Sequence, residues 1–223
     1  MAGIVAVTGA AGVLGRATVD VLRGAGWVVV GIDRADLRQG AGMLPALGGV
    51  DLTDEAQMAG AADHIRKVHR RLDGLVNIAG GFSWETVAEG EGATWDRLYT
   101  MNVKTTLVAS RALLPLLQGG GAIVNVGAAA SIKAGKGMGA YAAAKSGVAR
   151  LTEAMAEEQK DAGIRVNAVL PSIIDTPANR ADMPDADFSR WVAPGQLAAV
   201  IAFLLSPAAA AVTGALVPVT GRV

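Results

Sequence analysis

Thr8-Gly9-Ala10-Ala11-Gly12-Val13-Leu14-Gly15 stands between a short apolar run, Gly3 to Val7, and an amphipathic run, Val13 to Ala25, that closes at Gly26. The first run reads as a strand and the second as a helix. Glycines at such a junction let the backbone turn sharply and come close to a pyrophosphate. The helix N-terminus behind them offers free N–H groups and the positive end of its dipole. Strand on one side and helix on the other make this a dinucleotide-binding signal rather than an ordinary glycine turn. Gly9, Ala11, Gly12, Val13, Leu14 and Gly15 are the expected cofactor contacts.

The alternation continues outward from that turn. Further strands are expected at Trp27 to Ile32, in a brief run ending near Val50, at Leu75 to Ala79, Ala122 to Val126, Ile164 to Leu170 and Ala215 to Val219. Helices are expected at Asp54 to Leu72, at 94–117 with a break near 100, at Met138 to Ala162 ahead of Gly163, and from about Gly195 to Leu205. Strands apolar on both faces and alternating with helices imply a parallel sheet covered on both sides. The expected fold is therefore α/β, one doubly wound Rossmann-type domain over residues 1–223, with a polar stretch from Ser172 that reads as a substrate lid at about 172–193.

Composition narrows the function. The 223 residues suit one domain, and 52% are hydrophobic, enough for a substantial core. The formal net charge is +0, which argues against nucleic-acid or membrane-surface partners. With no cysteine and only His64 and His69, neither a disulfide scaffold nor a metal site is expected. No targeting segment or membrane-length apolar run is visible, so the expected location is cytoplasmic.

Asp33 ends the second strand, 18 residues beyond Gly15. A carboxylate there accepts hydrogen bonds from the adenosine ribose and repels a 2′-phosphate, which favours NAD(H); the adjoining Arg34 leaves room for NADP(H). Asp51, followed by Leu52, is placed either to reach the adenine amino group or to cap the next helix. Tyr141 and Lys145 are four apart on the long helix and share a face. The ammonium is expected to favour the phenolate, lowering a pKa that starts near ~10 and making Tyr141 a proton donor or acceptor.

These motifs together resemble the short-chain dehydrogenase/reductases. The likeness rests on the glycine turn, Asn77-Ile-Ala-Gly80, Tyr141-x-x-x-Lys145 and Arg165-Val-Asn-Ala-Val-Leu-Pro171, and it spans the chain. It implies a seven-stranded parallel sheet and hydride transfer with a nicotinamide cofactor. It implies a Tyr141–Lys145 pair supported by Asn102, 39 residues before the tyrosine, with Lys145 also on the cofactor ribose. It further implies cofactor contacts at Asn77, Ala79, Gly80, Pro171, Ile174 and Thr176, and a homodimer, or a tetramer, built through the helices at 102–117 and 141–160. One departure bears on mechanism. The family's catalytic serine stands 13 residues before the tyrosine, and that position is Ala128, with Ser131 three residues on. Losing an oxyanion donor commonly costs on the order of 10²–10³ in rate. Catalysis is lost, Ser131 substitutes, or the substrate does not need that donor.

A narrower resemblance favours the last. Asp175 to Trp191, Ala79-Gly80-Gly81-Phe82 and Gly137-Met138-Gly-Ala-Tyr141 are similar to the dihydropteridine reductases, which also carry alanine at the serine position. That likeness implies NADH-dependent reduction of a quinonoid dihydropterin. Phe82, Trp84 and Trp191 fall where aromatics either stack on a flat heterocycle or pack beneath a loop. Three functions follow: a reductase of an activated acceptor, a carbonyl reductase or alcohol dehydrogenase using Ser131 or water, and a dinucleotide-binding sensor with little turnover.

Overall fold

The computed structural model describes residues 3–37 and 46–223. Seven strands form one sheet: β1 (Ile4–Thr8), β2 (Val28–Ile32), β3 (Ala46–Leu47), β4 (Leu72–Asn77), β5 (Leu117–Val126), β6 (Arg165–Pro171) and β7 (Leu216–Val219). Their order is β3-β2-β1-β4-β5-β6-β7, and every pairing is parallel. The fold is thus the single-domain, doubly wound Rossmann type that the glycine turn implied.

Apolar residues on both strand faces divide the core in two. On one side α2 (Glu55–His69), α4 (Thr105–Leu113) and α5 (Gly139–Glu158) bury Met58, Ile65, Leu113 and Met155 against Leu75 and Ile123. On the other, α1 (Val13–Gly24) and α7 (Pro194–Leu205) bury Leu22, Leu197 and Ile201 against Val5 and Val124. Two shorter helices, α3 (Gly92–Tyr99) and α6 (Pro177–Asp182), lie near the carboxyl ends of the strands that feed them. The strand order reverses beside β1, between it and β4, and that switch point opens a crevice past the carboxyl ends of these strands.

The boundaries depart from the sequence expectation in several places, and α5 ends at Glu158 instead of Ala162. Leu72 opens β4 instead of ending α2, because Arg70 takes a positive φ of 69° and stops the helix after His69. The expected helix at 94–117 is α3, a wide π turn at Thr100–Lys104, then α4, and Leu117 already belongs to β5. The stretch after Pro171 is partly ordered into α6, started by Pro177 behind the N-cap Thr176, whose Oγ1 accepts from Asn179 N–H at 3.2 Å.

Candidate active site

The switch-point crevice is a cleft of about 950 Å³. Gly9, Ala11, Gly12, Val13, Leu14, Gly15, Asp33, Arg34, Asp51, Leu52, Ala79, Gly80 and Thr176 all line it. Gly9 has φ +68°, and a Cβ there would lie 2.8 Å from the Ala79 nitrogen, so only glycine lets β1 and β4 end this close together. Gly15 is tighter still: its Cβ would lie 2.1 Å from the Gly9 carbonyl oxygen. The result is a helix start pressed directly onto the turn. No side chain caps α1 and no acidic residue occupies its first turn, so its N–H groups face the cleft without a protein partner of the capping kind.

The acidic residues are held by backbone. Asp33 accepts from the N–H groups of Ala11 and Ala35, both at 2.9 Å, which ties the glycine turn to the end of β2 and leaves carboxylate lone pairs for a ligand. Asp51 does not cap α2. Its Oδ1 accepts from the Thr53 N–H and hydroxyl, both at 2.8 Å, and these bonds hold its carboxyl below the usual range. The cap is Asp54, which accepts from Ala56 and Gln57. The residues present fit a nicotinamide dinucleotide: an open helix start for the pyrophosphate and a fixed carboxylate for ribose hydroxyls.

Beside the cleft stands Tyr141. Lys145 Nζ lies 5.9 Å from its ring centroid and donates to the Val126 carbonyl at 2.8 Å. The Lys145 side chain is buried, and burial pulls its pKa down to about 8. Burial also pushes Tyr141 up to about 12. This reverses the expected lowering: desolvation penalises the phenolate, and the ammonium is turned toward Val126. Asn102, fully buried in the π turn, donates to Gly81 O at 3.0 Å and Leu98 O at 2.9 Å and accepts from Gly81 N–H at 3.2 Å. Its amide therefore grips the chain after β4. A Cβ on Gly80 would meet Asn102 Oδ1 at 2.6 Å and Lys145 Nζ at 3.3 Å, so this glycine is where Asn102 and Lys145 come together.

Other expected contacts lie elsewhere. Asn77 is buried in the sheet, donating to Ser110 Oγ at 3.0 Å and Asn125 Oδ1 at 2.9 Å, and does not line the cleft. Pro171 is buried at the end of β6 beside Val219, and Ile174 bridges to Val192; like Tyr141, Lys145 and Asn102, they stand outside the lining of this cleft. Trp191 is buried against Phe188, ring centroids 4.8 Å apart, which is packing beneath a loop. Phe82 meets Tyr141 edge-on at 4.9 Å. Ala128 is buried, and the Ser131 hydroxyl donates to the Ala128 carbonyl at 2.7 Å, so its proton is committed to backbone. Thr100, Met101, Thr105, Pro177 and Ala178 also line the cleft and were not foreseen. Thr100 and Met101 stand in the π turn and Thr105 opens α4 just behind it, and the turn has no hydrophobic period of its own to read. The last two continue from Thr176 along the first turn of α6.

Among the described residues no group of His, Cys, Asp and Glu could hold a metal ion, and no helix is long and apolar enough to cross a membrane.

Comparison with known proteins agrees with this geometry. The family model described as short chain dehydrogenase matches residues 3–187. The chain is 32% identical over 242 residues to 2-(S)-hydroxypropyl-CoM dehydrogenase 3 of Xanthobacter autotrophicus, covering 98% of this chain and 95% of that protein. It is 39% identical over 189 residues to the inactive 2-(S)-hydroxypropyl-CoM dehydrogenase 2 of the same organism, covering 78% and 82%. The 3-ketoacyl-(acyl-carrier-protein) reductase of Brucella melitensis, solved with NADH, superposes with a TM-score of 0.87 at 27% identity, covering 99% of this chain and 98% of that one. Fold, cleft and relatives together define an NAD(P)-dependent oxidoreductase. The chain belongs to the short-chain dehydrogenase/reductase family.

Proposed function

We propose that this protein is an NADH-dependent reductase of an activated acceptor, with a quinonoid dihydropterin as the first substrate to test. The observation that carries the reading is the pairing of Ala128, which has no hydroxyl, with a Ser131 hydroxyl that donates to the Ala128 carbonyl: neither residue offers a free donor to an oxyanion. An acceptor that is already electron-poor, and takes its proton on ring nitrogen, needs no such donor.

When bound, the nicotinamide supplies the hydride. The chain's own residues do the rest. The start of α1 holds the pyrophosphate, and Asp33 holds the adenosine ribose and disfavours a 2′-phosphate. Asp51 is placed for the adenine edge. Tyr141 gives its proton to the acceptor; raised to about 12 by burial, the phenol is protonated at neutral pH. Lys145, still largely an ammonium at pH 7, holds the nicotinamide ribose. Asn102 fixes the chain that carries Gly80 and Phe82. Residues 172–193 act as the lid, and two copies associate as a homodimer.

The names of the curated relatives favour a second reading, oxidation of an alcohol or reduction of a carbonyl. Ser131→Ala, assayed with quinonoid dihydropterin beside a panel of ketones, aldehydes and quinones, separates the two. Unchanged pterin-dependent NADH oxidation is expected. Turnover confined to carbonyls and abolished in Ser131→Ala would establish the second reading instead.

A further inference from the structure

Residues 78–91 join β4 to α3 as a strap without helix or strand, yet from 81 to 85 the strap is fastened residue by residue. Asn102 grips Gly81, Phe82 rests edge-on against Tyr141, and Ser83 Oγ accepts from Arg97 at 3.0 Å. The next two residues reach across to the loop that precedes α5, the helix carrying Tyr141. Trp84 Nε1–H donates to the Lys136 carbonyl and Glu85 N–H to the Gly137 carbonyl, both at 2.9 Å. Gly137 has φ +73°, and a Cβ there would stand 2.1 Å from Trp84 Cε2 and 2.3 Å from its Nε1. The indole therefore lies directly on the glycine backbone. The indole N–H bond and the Gly137 approach both fasten Trp84 to main chain while the rest of the ring stays open, Trp84 being 57% exposed, and Phe82, 52% exposed, keeps a free face beside Tyr141.

We propose that Trp84 is a positioning residue: clamped over Gly137, it holds the strap so that Phe82 forms the substrate-side wall next to Tyr141. Phe82 in turn determines specificity. Its exposed ring, orthogonal to the phenol at an interplanar angle of 83°, offers a flat apolar surface to an aromatic or conjugated acceptor. Compact polar acceptors gain nothing from it. The substrate part of this inference rests on Tyr141 being the proton donor; the shielding of Tyr141 by the strap does not.

The test needs no knowledge of the substrate at first. The chain has two tyrosines, and Tyr99 is 55% exposed, so it serves as an internal reference. Nitration by tetranitromethane, read by peptide mass spectrometry, gives the Tyr141-to-Tyr99 ratio. Trp84→Ala is expected to raise that ratio by about fivefold, because the strap lifts and both exposure and phenolate fraction grow. Gly137→Ala, which pushes the indole away from the opposite side, should raise it similarly. The double variant should go no further than the larger single one, the signature of one shared contact. Trp84→Phe, which keeps a ring on Gly137, should recover most of the protection. With an acceptor that is turned over, Trp84→Ala should raise the acceptor KM by about tenfold, with NADH affinity within about twofold of wild type.

An unchanged ratio in Trp84→Ala, or additive effects of the two substitutions, overturns the clamp. A raised ratio with unchanged acceptor kinetics upholds the clamp and overturns the substrate wall assigned to Phe82, while the proton-donor role is tested separately by loss of turnover in Tyr141→Phe. Failure of this inference and failure of the proposed mechanism are thereby distinguishable.

Discussion

Replacing Gly15 by alanine tests the cofactor cradle at its tightest point. The added Cβ would sit 2.1 Å from the Gly9 carbonyl oxygen, 2.8 Å from Ala10 Cα and 2.9 Å from the Ala10 carbonyl carbon. All three neighbours are backbone, so no rotamer relieves the clash, and the first turn of α1 must move off the glycine loop by roughly 1 Å to restore van der Waals separation. Overpacking of this kind costs about 1–3 kcal/mol. For a chain of this size each kcal/mol shifts Tm by about 2–4 °C, so a fall of about 2–12 °C is expected. The same movement carries the free N–H groups of the helix away from the phosphates. Loss of one hydrogen bond to a charged group is worth about 1.5–3 kcal/mol, which is a weakening of NADH binding on the order of 10- to 100-fold. Titration of NADH fluorescence and thermal melting by circular dichroism measure the two effects. Gly12→Ala is the control: its φ is −70° and its nearest neighbour, Gly9 O, is 3.4 Å away, so Tm should hold. Wild-type NADH affinity and Tm in Gly15→Ala would refute the packing argument.

Asp33→Asn keeps an acceptor for the Ala11 N–H but removes the charge that disfavours a 2′-phosphate; the ratio of NADPH to NADH affinity should rise by about tenfold or more, and an unchanged ratio would mean the carboxylate does not read the ribose. Lys145 has its folded pKa lowered to about 8, against ~10.4 when unfolded. Between those values the unfolded chain binds more protons, so the folded state gains stability as pH rises from about 8 toward 10. Lys145→Met should lose that rise in urea melts, and in the wild type NADH-dependent turnover should fall above pH 8 as the ammonium is lost. A Cβ on Gly60, inside α2, meets nothing within 4 Å; Gly60→Ala should therefore stabilise the protein by about 0.5–1 kcal/mol, read as a higher Tm.

What could be read in the sequence was whatever local spacing controls. The glycine turn announced itself because a strand must precede it and a helix must follow, and both conditions are written within a few residues of Gly9. Tyr141 and Lys145 were legible for the same reason, since a four-residue interval on one helix fixes a shared face. Asp33 was placed by strand length alone. The misreadings arose where tertiary contacts decide. Leu72 continues the apolar rhythm of α2, and only the positive φ at Arg70 hands it to β4. At Asn77 the sequence did not show that its amide nitrogen is engaged by Ser110 and Asn125, residues far away in sequence. Trp84 and Trp191 look equivalent as letters; one is clamped over Gly137 and the other buried against Phe188. The Tyr141 pKa went the other way because spacing says that Lys145 is near, not that its Nζ is turned to Val126 while the phenol is desolvated.

The central claim is that Tyr141 is the proton donor beside a bound NADH. Its most direct test follows absorbance at 340 nm for wild type and Tyr141→Phe with quinonoid dihydropterin, alongside NADH binding by fluorescence. The variant should bind NADH within about twofold of wild type while turnover falls by about 10²–10⁴-fold, the usual worth of a positioned general acid. Turnover that survives in Tyr141→Phe would contradict the account.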